Sequence, residues 1–248
     1  MMQNSLMPKF SVITVTYNAE KVLEKTIDSV VEQSYSKIEY IVIDGASTDS
    51  TPKIVEKYAK AIDVLISEPD NGLYDAMNKG IAKATGDYVV FLNAGDTFHC
   101  VDTLEELVKK MPHDVLPDVV YGNTALVKSN GEFIKMRRLK PPKELTWKSF
   151  SKGMLVCHQA FFAKRELVED YNLKYKYSSD FDWCIRILKK SNLIFNSNQI
   201  LVNYLEEGLT TQNRKASLKE RFQIMTNYYG LTRTLVNHVG FVFRLFIK

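Results

Sequence analysis

Three apolar runs of this 248-residue chain each stop at polar side chains. Thr16, Tyr17 and Asn18 follow FSVITV, Asp44 ends IEYIVID, and Asn93 and Asp96 follow DYVVFL. Two carboxylates and an amide converging on one cleft suit a hard divalent cation, Mn²⁺ or Mg²⁺. Such ions take oxygen ligands and often share them with a diphosphate. The same residue types also end strands and open turns, so the chemistry depends on the elements that place them.

Those elements alternate. Phe10–Thr16 is rich in β-branched and apolar residues, the pattern of a strand buried on both faces. Val22, Leu23, Ile27, Val30 and Val31 recur at helical spacing, and Ile38–Asp44 is a second strand. Thr51-Pro52 reads as a helix cap and first position, 64–67 as a short strand, 73–84 as a helix closed by Gly86, and 87–92 as a fourth strand. Strands and helices in this order imply a parallel sheet with right-handed crossovers. Its ligands lie beyond the carboxyl ends of the strands, where the six polar residues fall. The second half predicts a helix over 101–111, a hairpin over 118–137 turning at Ser129-Asn130-Gly131, and a strand over 153–162. A helix over 181–190, an extended element over 193–204, a polar loop over 206–215 and a helical C-terminus follow.

Composition is ordinary for a globular protein, with 45% hydrophobic and 25% charged residues. The three cysteines are far apart and lack metal-site or disulfide spacing, which fits a reducing compartment. No secretion signal precedes Phe10, and no run of ~18 apolar residues could span a bilayer, so the expectation is cytoplasmic. The net charge of +4 is uneven: residues 214–248 hold seven basic side chains against one acid. A nucleic-acid role for the whole domain is therefore not expected.

Neither nucleotide-binding glycine template, G-x-G-x-x-G or G-x-x-x-x-G-K-[ST], is present. Instead, the blocks SVITVTYNAEKVLEKTIDSVVEQSY, IEYIVIDGASTDST and NGLYDAMNKGIAKATGDYVVFLNAGD resemble the nucleotide-sugar half of a family 2 glycosyltransferase of GT-A fold. The narrower likeness is to bacterial enzymes of polysaccharide, O-antigen or colanic-acid assembly. It is dense over residues 9–100 and continues more thinly through CHQAFF and SSDFDWCIRI.

This resemblance implies an α/β fold with a mostly parallel, Rossmann-like sheet flanked by helices. Residues 1–213 would be the transferase domain, with 8–100 the nucleotide-sugar half and 101–213 the acceptor half; 214–248 would be a basic amphipathic appendage. It implies an inverting transfer from a nucleotide-diphosphate sugar, a UDP-sugar by preference, to a glycan or lipid-linked acceptor in cell-surface polysaccharide synthesis. Thr16, Tyr17 and Asn18 would line the base pocket, Asp44 would accept the imide N–H of uracil, and Asn78 would lie near the diphosphate. The family's metal-binding acidic motif falls on Asn93-Ala94-Gly95-Asp96, where Asn93 replaces its leading acid and Gly95 its usual third-position acid, which leaves Asp96 as its ligand. The catalytic acidic motif falls on Ser179-Asp180, making Asp180 the general base. Asp182, at i+2 on the same helix, cannot share its face. His158 and Gln159 are either hydrogen-bonded core residues or contacts to donor or acceptor, and Asp182 is a further candidate for such a contact.

Two other readings fit parts of the sequence: a non-catalytic sugar-nucleotide binder, and a dinucleotide-dependent oxidoreductase that would use Asp44 on ribose. At the C-terminus, Leu218, Phe222, Met225 and Tyr229 recur at helical spacing, and residues 235–247 hold nine large apolar side chains in thirteen. That segment would pack on the domain, form a homodimer, or lie peripherally on the anionic inner face of a membrane.

Overall fold

In the computed structural model, which describes residues 6–206 and 213–246, nine strands form one mixed sheet. β1 (Phe10–Thr16), β2 (Ile38–Asp44), β3 (Val64–Ser67) and β4 (Tyr88–Phe91) are parallel and lie in the order 3-2-1-4. They are interleaved with α1 (Leu23–Val31), α2 (Thr51–Lys57) and α3 (Leu73–Ile81). The order reverses at β1, so the crevice outside its carboxyl end is the natural ligand position.

All seven β1 residues are buried, and they alternate between two cores. Ile13 and Val15 face one core; Phe10 and Val12 face the other, with the apolar stripe of α1. The period of two therefore divides one strand between both layers. At the strand's other end Glu39 is buried and accepts hydrogen bonds from Ser11 Oγ and from the backbone N–H of Thr85. Burial alone would raise its pKa, but these donors and the Lys9 ammonium outweigh it and hold the carboxyl at about 2.

The second half continues the sheet with β5 (Thr97–Phe98), α4 (Thr103–Lys110), β6 (Val119–Val127), β7 (Phe133–Met136), β8 (Phe161–Lys164), α5 (Ser179–Lys190) and β9 (Ile194–Leu205). The 118–137 hairpin forms as expected, closed by Lys128 N–H on the Glu132 carbonyl. The strand expected over 153–162 does not form over that range. A 3₁₀ turn occupies His158–Ala160, and the strand is only Phe161–Lys164. The turn carries Gln159 to Asp96, which a straight strand would not do. Thr51 is also not the helix cap: Ser50 holds that position, and Thr51 Oγ1 instead accepts the N–H of Ala19.

Two helices close the chain, α6 (Arg214–Tyr229) and α7 (Leu231–Phe246). Ile224 and Met225 of α6 enter the first core, while Leu218 is 51% exposed, so the four residues at helical spacing do not form one buried face. Residues 207–212 of the expected polar loop, and Ile247 and Lys248 at the apolar terminus, lie outside the described residues.

Candidate active site

A cleft of about 1270 Å³ opens at the carboxyl ends of β1 and β4. It is lined by Thr16, Tyr17 and Asn18 from the β1 turn, Asn93 and Asp96 after β4, and His158, Gln159 and Asp180 from the second half. These residues, eight of the eleven singled out in the sequence, come together. Asp44, Asn78 and Asp182 do not line the cleft.

The wall at the β1 turn is built by one loop holding another. Asn18 adopts φ 48°, its N–H donates to Ser47 Oγ at 2.8 Å, and its Oδ1 accepts the Thr48 N–H at 2.9 Å. Ser47 in turn donates its Oγ–H to Asp44, which also accepts Ser67 Oγ at 2.7 Å. Asp44 is 2% exposed, so an imide N–H would have to displace one of these hydroxyls to reach it. Tyr17 is 64% exposed at the mouth. A Cβ on Gly45 would sit 2.5 Å from Asp70 Oδ2 and 3.3 Å from the Tyr17 ring, so a larger residue there would push the Asp70 carboxylate aside.

At the other wall, Asp96 is buried and held by two donors, Leu205 N–H to Oδ1 at 3.0 Å and Gln159 Nε2 to Oδ2 at 2.9 Å. Burial pushes its pKa up to about 7, against the lowering effect of those two bonds. Gly95 explains why the motif lacks an acid at its third position. Its φ is +99°, and a Cβ would lie 2.7 Å from Leu205 Cδ2. Among the described residues no cluster of three His, Cys, Asp or Glu side chains is placed to hold a metal ion. Asn93 Oδ1, however, is buried without a partner among those residues, beside Asp96 on the same cleft wall. Two protein oxygens completed by phosphate oxygens and water are the donor set a Mg²⁺-like cation takes. The residues present therefore fit such an ion only when it is shared with a diphosphate.

Asp180, in the first turn of α5, is half-buried and faces the cleft. Its Oδ1 accepts the Tyr74 hydroxyl at 3.0 Å. Asp182 is buried, paired with Arg186 Nε at 2.9 Å and bonded by the Tyr228 hydroxyl at 2.9 Å. The two acids thus diverge, as their spacing requires. His158 packs against Phe91, its Nε2 meets the Tyr171 hydroxyl, and burial lowers its pKa to about 4. It is neutral at physiological pH and bonded in the core, with one edge on the cleft. Asn78 is held by the Tyr171 backbone on both sides of its amide, at 3.1 Å and 2.7 Å.

Tyr74, Arg137 and Arg221 were not singled out in the sequence. Arg137 grips the carbonyls of Leu139, Met154 and Leu155, and Arg221 Nε is buried without a partner among the described residues. Both line the cleft. Arg221 comes from α6, which is bound closely to the entry of α5. The Glu220 carboxylate accepts the N–H groups of Lys176 and Tyr177 at 2.9 Å each, just before α5, and Ser217 bonds Ser178.

A parallel β1–β4 unit with its cleft at the switch in strand order, and acids on two facing elements, is the architecture of the GT-A glycosyltransferases. Residues 11–171 match the model for glycosyl transferase family 2, and the chain belongs to that family. It is 32% identical over 211 residues to a PGL/p-HBAD biosynthesis glycosyltransferase of Mycobacterium tuberculosis, across 81% of this chain and 78% of the relative. It is 28% identical over 221 residues to TuaG of Bacillus subtilis, named for teichuronic acid biosynthesis, across 87% and 86% of the two chains. Solved folds agree. The crystal structure of S. aureus TarS 1–349 in complex with UDP-GlcNAc superposes with TM-score 0.68 at 21% identity, over 91% of this chain and 72% of that one. The mannosyltransferase PcManGT of Pyrobaculum calidifontis, in complex with GDP-Man and Mn²⁺, gives TM-score 0.61 at 21% identity, over 95% and 75%. The protein is a glycosyltransferase.

Proposed function

We propose that the enzyme transfers a sugar, with inversion, from a UDP-sugar to a hydroxyl of a glycan or lipid-linked acceptor in cell-surface polysaccharide synthesis. The observation that carries this reading is Asp180, the acid of α5 that faces the cleft while Asp182 is paired behind it. Tyr17, at the mouth of the cleft, would lie against the base, and the Ser47 loop fixed by Asp44 holds the Asn18 turn from behind. The acceptor oxygen attacks the anomeric carbon as the bond to the diphosphate breaks. The electron pair leaves with the diphosphate, and Asp180 takes the proton. An ordinary carboxylate suffices as base because the hydroxyl becomes acidic only as the new bond forms. One displacement without an enzyme nucleophile inverts the anomeric centre.

Asn93 and Asp96 would hold a divalent cation, which supplies charge neutralisation for the departing diphosphate. Gln159 and the Leu205 N–H fix the Asp96 carboxylate. Arg221 adds a cation without a carboxylate partner among the described residues, placed to meet phosphate or an anionic acceptor group.

The experiment is nucleotide release from a panel of UDP-sugars, with GDP-mannose as the contrasting donor and Mn²⁺ or Mg²⁺ present. UDP release from at least one UDP-sugar supports the reading. Release from GDP-mannose alone moves the donor class, and tight UDP binding with no turnover of any donor leaves the non-catalytic binder.

A further inference from the structure

Among the described residues, none covers the outer face of α7. Leu231, Leu235, Val236 and Val239 are 54%, 49%, 65% and 57% exposed. At 100° per residue they fall within one sector of about 140°. Thr234, His238 and Phe241 occupy an adjoining arc of about 60° that forms the inward side, where His238 meets Phe222 at 5.0 Å and Thr234 is fully buried. Arg233 is exposed and lies about 60° beyond Val236, on the side of the sector away from His238. Beyond Val239 the sequence continues as Gly-Phe-Val-Phe-Arg-Leu-Phe-Ile-Lys.

Charge decides between the possible occupants of this face. Glu220 is the only acid from residue 214 to the end, against seven basic residues, and it is held by the N–H groups of Lys176 and Tyr177. A two-fold dimer through α7 would bring two such segments together with no free acid in either to pair them. An anionic lipid surface offers the complementary sign, and it takes apolar side chains to the depth of the acyl boundary. Among the described residues no helix is long and apolar enough to cross a membrane.

We infer that α7 docks in the plane of an anionic lipid surface, with Leu231, Leu235, Val236 and Val239 inserted and Arg233 at the headgroups. The docked element is continuous with the site. α7 follows α6 across Gly230, and α6 carries Arg221 into the cleft and holds the segment that enters α5. Binding would therefore present the cleft at a fixed height above lipid, where a lipid-linked acceptor has its sugar. The surface argument does not depend on sugar transfer, so this inference and the proposed reaction fail separately.

The test is co-sedimentation of the full chain with phosphatidylcholine vesicles, with and without phosphatidylglycerol. The variant is Val236→Glu with Val239→Glu, two exposed positions whose change leaves the cores intact. UDP affinity and thermal unfolding report that the variant is folded. The wild type should sediment only with the anionic vesicles and less in high salt, because the charge attraction is screened. The double variant should lose ~10-fold or more in partitioning, since two charges replace inserted apolar groups. Two outcomes overturn the inference: unchanged vesicle binding by the double variant, or no wild-type binding together with a dimer that the double variant converts to monomer.

Discussion

The Tyr74 hydroxyl donates to Asp180 Oδ1 at 3.0 Å, joining the first turn of α3 to the first turn of α5 across 106 residues of sequence. Tyr74 is buried and its ring stacks on Tyr171 at 5.2 Å, so the donor is held in place by packing. The bond fixes one carboxylate oxygen and thereby orients the other. Tyr74→Phe keeps the ring and removes that constraint. The expected result is a fall in kcat of ~10-fold, about the worth of one hydrogen bond to a charged group, with the KM for donor unchanged. Steady-state kinetics with varied donor check it; an unchanged kcat contradicts it.

Restoring the missing acid of the metal motif should fail. Gly95→Asp puts a side chain at φ +99° with its Cβ 2.7 Å from Leu205 Cδ2. A destabilisation of roughly 1–3 kcal/mol is expected from the backbone conformation and the contact. Thermal unfolding measures it, and a variant as stable as wild type with tighter Mn²⁺ binding contradicts it.

Much of this site was legible in the sequence, and the part that was not has identifiable causes. The strand ends were placed because β1 and β4 are apolar on both faces and cannot be read as surface elements. Asp180 and Asp182 could be separated by spacing alone. Tyr74 could not be found, because nothing local in Leu73-Tyr74-Asp75 points to a partner on α5. Charge and apolar periodicity mark 214–248 as an appendage, but they do not reveal what α6 touches. It packs against both α5 and the 3₁₀ turn at Trp147–Lys152, with Tyr229 stacked on Trp147 at 5.6 Å, so its contacts do not follow one stripe. Gly95 was visible as a departure from the motif; its reason, the approach of Leu205, needed the fold.

His158 sets a pH window for stability. Its folded pKa of about 4 lies below the ordinary 6.5, so the folded state favours the neutral ring. The associated stability is fully present above pH 6.5 and is lost as pH falls toward 4, an effect of about 3 kcal/mol at most. Glu39, held at about 2, adds its own loss only below about 4.5. Denaturant unfolding of wild type and His158→Gln at pH 7 and pH 4.5 separates the two. The variant should lose less stability between these values; equal losses contradict the assignment.

Glu220 links α6 to the entry of α5. Glu220→Ala leaves the Lys176 and Tyr177 N–H groups without their acceptor, which should cost about 1–2 kcal/mol. Because the segment leads directly to Ser179 and Asp180, transfer should slow while UDP affinity holds. Calorimetric UDP titration beside turnover checks this, and parallel loss of both contradicts it.

The most direct measurement is single-turnover transfer by Asp180→Asn with donor bound. The amide keeps the shape of the side chain and its contact with Tyr74 but cannot take the acceptor proton. The account predicts donor affinity within error of wild type and a rate lower by at least ~10²-fold, the low end for removal of a general base. A near-wild-type rate for Asp180→Asn, or a dead Asp182→Asn of undiminished stability, would contradict it and move the base to another carboxylate.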